Sequence, residues 1–121
     1  MQANTKILDE DIIQEIISGG ETVEYYNYLP RSKTGMRSWE VKIKNKNGSR
    51  RVVVIRDSGI SVDKYEVALK PVAERAERNA EICRLYNEEH LSQVFLANLF
   101  NITQPSVSMI INSGKRNREN V

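Results

Sequence analysis

Hydrophobic positions along this chain recur first at a helical spacing, then at every second residue, then at a helical spacing again. Ile12, Ile13, Ile16 and Ile17 form a broad apolar stripe within Asp9–Ser18, the spacing of one face of a helix. The acids Asp9, Glu10 and Asp11 suit its first turn, and Gly19–Gly20 stop it. So short a helix does not hold alone in water, so the stripe must be covered. The chain's own sheet is the preferred cover over the same helix of a second copy. Residues 1–8 read as a lead-in.

The period then changes to two. Glu21–Leu29 has the aromatic and β-branched content of a strand and is stopped by Pro30. After a basic turn over Arg31–Arg37, the apolar Trp39, Val41 and Ile43 alternate with Glu40, Lys42 and Lys44. That alternation predicts a half-buried strand with a cationic outer face. Asn47–Gly48 marks a tight turn, and Arg51–Arg56 returns as a more deeply buried strand. A three-stranded antiparallel sheet follows, or a hairpin with a loosely joined third strand. Residues 57–70 read as a connector, with Ser58–Gly59 in it and one helical turn from Asp63 to Leu69.

Helical spacing resumes at Pro71, which opens a helix over Val72–Asn87. Ala73, Ala76, Ala80 and Cys83 make a narrow stripe of small residues extended by Ile82, Leu85 and Tyr86. Glu74 and Arg78 have the i, i+4 spacing of an ion pair. Two short helices follow, Gln93–Phe100 and Gln104–Asn112, joined by Asn101, Ile102 and Thr103. Leu96, Ala97 and Phe100 share one face of the first; Val107, Ile110 and Ile111 share one face of the second. Ser92 and Thr103 are good N-caps, and Leu91 and Ile102 are placed to staple onto Leu96 and Val107. Pro105 falls in a first turn, where its missing N–H costs nothing. Two capped helices this short, three residues apart, bury their faces only by crossing steeply over a third, which is the helix-turn-helix arrangement.

These residues resemble the helix-turn-helix family of DNA-binding proteins, and the run TQPSVSMIINSGKR is similar to the recognition helix and exit of phage-repressor and resolvase-type regulators. Ala97 stands at the small crossing position, Ile102 at the apolar position after the turn, and Val107 and Ile110 at the inward positions. Asn101 stands where the family usually has Gly, and Asn is the next-best residue for a left-handed backbone. The resemblance covers about residues 72–116. It implies a C-terminal three-helix helix-turn-helix unit over 71–121, so that, with the helix and small antiparallel β-sheet or hairpin read above over residues 1–70, the expected chain is α+β.

Charge sharpens this picture. The net charge is only +2, yet residues 31–56 hold nine Lys/Arg against one acid, whereas residues 1–30 hold one Lys against six acids. A basic segment in an otherwise balanced chain points to a polyanionic partner. Leu91–Ser113 contains no charged side chain at all, so cations for phosphate must come from elsewhere. Lys115, Arg116 and Arg118 just past the last helix are the first source, with backbone N–H groups at Ser92 and Thr103 beside them. The basic hairpin is the second, through Arg31, Lys33, Arg37, Lys42, Lys44, Lys46, Arg50 and Arg51. A competing reading makes the hairpin a dimer contact. Base edges would meet Gln104, Ser106, Ser108, Met109 and Asn112.

The single Cys83 makes no internal disulfide and fits a packed thiol in a reducing compartment, and lone His90 builds no zinc site. No apolar run is long enough for a membrane span and there is no signal peptide, which suits a cytoplasmic protein. No catalytic pairing, metal site or phosphate loop stands out, so neither an enzyme nor a cofactor is expected. The expected function is sequence-specific binding of double-stranded DNA as a homodimer, in a bacterial or phage transcriptional regulator. A packaging, recombination or plasmid-maintenance accessory protein with the same reading head is the alternative, and a protein-interaction adaptor is the alternative from another class.

Overall fold

The computed structural model describes residues 10–30 and 35–119, with side chains to Arg116 in the last helix. The chain is α+β, with four helices and one four-stranded antiparallel sheet among the described residues. It divides into two compact units, Met1–Ala68 and Leu69–Val121.

In the first unit, α1 spans Glu10–Ile16 and β1 Thr22–Leu29. Strands β2 (Arg37–Lys44), β3 (Arg50–Asp57) and β4 (Val62–Val67) follow as a meander in the order β1-β2-β3-β4. The two-residue alternation sets the register: Trp39 pairs with Ile55 and Val41 with Val53, so their side chains share a face. On that face Trp39, Val41, Ile43, Val53 and Ile55 form a buried cluster with Ile16 of α1, and Ile12, Ile13 and Ile17 pack against it. The isoleucine stripe is thus covered by the chain's own sheet. Each fully buried side chain of this kind contributes about 1.5–3 kcal/mol, which is what holds so short a helix in place.

Three expectations are corrected in this unit. The sheet has four strands, because Val62–Val67 pairs along β3 from Val52↔Val67 to Asp57↔Val62. The anticipated helical turn at Asp63–Leu69 is absent for that reason: pairing with β3 overrides a weak local preference. The turn into β4 is tied by Gly59 N–H donating to Asp57 Oδ1 at 2.8 Å and Ser58 N–H donating to the Ser61 carbonyl at 3.1 Å. Finally, the alternate face of β2 is not a solvated cationic surface. Glu40 is only 1% exposed, taking a 3.0 Å hydrogen bond from Asn27 Nδ2, and Lys42 is half-buried.

The second unit is helical: α2 (Arg75–Asn87), α3 (Gln93–Phe100) and α4 (Gln104–Glu119). Buried Ile82, Leu85, Leu91, Phe95, Leu96, Val107 and Ile111 are its apolar interior. The expected start at Val72 moves to Arg75, because Glu77 Oε1 accepts from the N–H groups of Ala73 and Glu74 at 3.0 Å each and so closes the first turn. Glu74 is therefore the cap, and Arg78 donates instead to Asn79 Oδ1 at 3.0 Å. The anticipated Glu74–Arg78 pair does not form. Nor is the alanine stripe the buried face: Ala73, Ala76 and Ala80 are exposed and Cys83 half-buried, while Ile82 and Leu85 are buried. The bulk of the latter two wins the interior. Glu81, 4% exposed, accepts from Arg84 Nη2 at 2.7 Å and from the Lys70 N–H at 2.9 Å, which ties the segment entering this unit to α2.

Candidate nucleic-acid interface

The geometry of α3, the turn and α4 is set by local capping. Ser92 Oγ accepts from the Phe95 N–H at 3.2 Å, and Leu91 and Leu96, placed to staple this end, are 1% and 0% exposed. Asn101 adopts the left-handed region at φ 56, ψ 46. The Ile102 N–H then reaches back to the Ala97 carbonyl at 3.0 Å, closing the helix end. Thr103 Oγ1 accepts from the Ser106 N–H at 3.2 Å and starts α4. Helices α3 and α4 consequently meet at 108°, with Val107 fully buried and Ile111 7% exposed on the inner side of α4.

The outer side of α4 is what this crossing leaves open. Gln104, Pro105, Met109, Asn112 and Ser113 are exposed, and Ser106 and Ser108 are half-buried. At helical spacing Pro105, Met109, Asn112 and Arg116 lie along one stripe, flanked by Ser108 and Ser113. Of the five residues expected to meet base edges, Met109 and Asn112 stand on this stripe, with Gln104 and Ser108 at its border. Ser106 is engaged by Thr103: their hydroxyl oxygens are 2.8 Å apart.

Lys115 and Arg116 were expected past the helix end, but α4 runs on to Glu119, so both are exposed side chains on the helix itself. The Ser113–Gly114 pair, which reads as a stop, is helical here because of packing. A Cβ at Gly114 would come 2.7 Å from Cys83 Sγ, so the glycine lets α4 lie close against α2. The thiol in turn lies 3.6 Å from the Ile110 carbonyl oxygen. Ser113, missed as a surface residue because of that stop signal, faces solvent and its Oγ lies 3.5 Å from Arg116 Nη2. The Arg118 side chain lies outside the described residues.

Several of the hairpin cations are engaged by acids of their own unit. Arg37 pairs with Asp57 at 2.7 Å, and Lys42 and Arg50 with Glu24 at 3.4 and 2.5 Å. Arg51 pairs with Glu21 at 2.9 Å and Glu66 at 3.2 Å. The hydrogen bond from Arg51 holds the Glu21 carboxyl below its ordinary range, and that from Arg50 does the same for Glu24. Glu24 is the residue at the register shift between Val23 and Tyr25 of β1. The acids that sequence counting assigned to a separate segment thus come to lie beside the bases. Lys44 and Lys46 are exposed and, among the described residues, make no ion pair; Arg31 and Lys33 lie outside the described residues.

Among the described residues no group of three His, Cys, Asp or Glu side chains could hold a metal ion, and no single helix is long and apolar enough to cross a membrane. His90 adopts φ 60 just after α2, a backbone role at the helix exit. No protein-family model, curated protein or solved structure matches the chain.

Proposed function

We propose that the chain binds double-stranded DNA, with α2, α3 and α4 acting as a helix-turn-helix unit and α4 as the helix that enters the major groove. The observation that carries this reading is the outer face of α4. It is uncharged from Gln104 to Ser113, exposed at Gln104, Pro105, Met109, Asn112 and Ser113, and followed by the exposed Lys115 and Arg116. A neutral polar face suits base edges, while cations at one end suit a phosphate rail. The 108° crossing with α3 falls in the range of about 90–120° typical of helices that present a recognition helix this way. Backbone N–H groups at the starts of α3 and α4, near Ser92 and Thr103, are further phosphate donors.

One α4 reads only a few base pairs, so useful specificity calls for two copies on a two-fold-related site. A homodimeric transcriptional regulator is the role that fits best. Because Arg37, Lys42, Arg50 and Arg51 are engaged by acids of their own unit, the auxiliary contact with DNA narrows, among the described residues, to Lys44 and Lys46. Fluorescence anisotropy with a labelled duplex pool tests the proposal. Lys115→Ala with Arg116→Ala weakens binding to every sequence alike and lowers the salt slope by about 2. Arg50→Ala and Arg51→Ala change stability and leave the slope unchanged. Binding that the Lys115/Arg116 variant leaves intact would contradict the assignment of α4.

A further inference from the structure

The residues exposed on α4 carry information about which base pairs they suit. We infer that the groove face read by α4 is an adenine–thymine face, with Met109 against a thymine methyl and Asn112 on an adenine edge; this rests on the DNA-binding reading above. Met109 is 70% exposed. It is an apolar thioether at the rim of a cleft it shares with Ser113 and with Asn79, Ala80 and Cys83 of α2, most of its side chain left in water. The one apolar feature on the floor of the major groove is the thymine C5 methyl.

Three residues further along the helix, Asn112 is exposed, and among the described residues its amide makes no hydrogen bond. That amide offers one donor and one acceptor side by side, which matches the N7 acceptor and N6 donor of adenine. Gln104 brings the same chemistry to the first turn. The other base edges find no such match. Guanine presents two acceptors and is read by Arg or Lys, and cytosine presents a donor and is read by a carboxylate; neither kind of side chain occurs between Leu91 and Ser113.

Spacing agrees. Met109 and Asn112 are about 4.5 Å apart along the helix axis at a rise of 1.5 Å per residue, close to the step of about 3.4 Å between base pairs. The two side chains therefore address neighbouring pairs, while Lys115 and Arg116 lie a further turn on, toward the groove wall.

The test uses the full chain and selection from a randomised duplex pool. The recovered duplex is then resynthesised with uracil for thymine, which deletes the methyl, or with deazaadenine for adenine, which deletes the N7 acceptor. The expected consensus has A·T pairs at the centre of each half-site. Uracil lowers affinity about threefold and deazaadenine about tenfold. Met109→Ala abolishes the response to uracil alone, and Asn112→Ala abolishes the response to deazaadenine alone, because each variant deletes one side of a single pair. Both side chains are exposed, so thermal unfolding stays unchanged and folding does not confound the result. A consensus of G·C pairs, or indifference to both analogues while duplex binding persists, overturns the adenine–thymine assignment and leaves the DNA-binding reading standing. Failure to retain any duplex at low salt overturns both.

Discussion

Gly114 and Cys83 form one packing unit. With the Cys83 Sγ 2.7 Å from where a Gly114 Cβ would stand, Gly114→Ala forces α2 and α4 apart despite the better helix propensity of alanine. Overpacking of this kind costs about 1–3 kcal/mol, against about 1 kcal/mol gained from propensity. Cys83→Ala clears the space, so Gly114→Ala in that background becomes neutral or stabilising. A double-mutant cycle by denaturant unfolding measures this, and additive effects would show that the two residues do not share a constraint. At the same scale, the capping and turn residues Ser92, Asn101 and Thr103 were legible in the sequence, since each acts on backbone within a few residues. Gly114 was not legible. A glycine that ends a helix and one that admits a neighbouring helix look alike until the neighbour is in place.

Among elements, legibility followed the same rule of locality. Helices α3 and α4 began where their caps predict, and β2 and β3 followed a clear two-residue alternation with Trp39, Val41 and Ile43. Strand β4 was hidden because only Val67 of its residues is buried; its order comes from pairing with β3 rather than from its own pattern. Helix α2 was placed and Ile82 and Leu85 of its stripe are buried, but Ala76 and Ala80, which promise close packing, stay exposed. Its polar anchor was also unforeseen. Burial alone would raise the Glu81 carboxyl, yet the hydrogen bonds from Arg84 and the Lys70 N–H hold it below its ordinary value of 4.5. The unfolded chain therefore binds the extra proton first as pH falls, so Glu81 contributes its full stability above pH 4.5 and loses it as pH drops through the lower folded-state value. Glu81→Gln lowers stability at neutral pH by about 1–2 kcal/mol and makes the acid limb of a melting-temperature profile shallower. An unchanged limb would remove Glu81 from the acid response.

At the scale of the molecule, charge counting along the sequence missed the acids that pair with the bases. The basic run from Arg31 to Arg56 reads as a binding surface in one dimension. Folding brings Glu21, Glu24, Asp57 and Glu66 against it. Antiparallel pairing set those partners, some of them more than twenty residues apart in sequence, so no local count could foresee them. The candidate site itself is uncharged from Gln104 to Ser113, and under the proposed function recognition there depends on shape and on amide and thioether groups more than on long-range field.

The claim that the outer face of α4 meets duplex DNA is tested most directly by amide NMR shifts of the isotope-labelled full chain titrated with the selected duplex at low salt. Perturbations are expected to concentrate on Gln104–Arg116 and at the starts of α3 and α4 around Ser92 and Thr103, with smaller ones at Lys44 and Lys46 and with β3 and the rest of β2 little changed. Perturbations centred on those strands, with α4 silent, would contradict it.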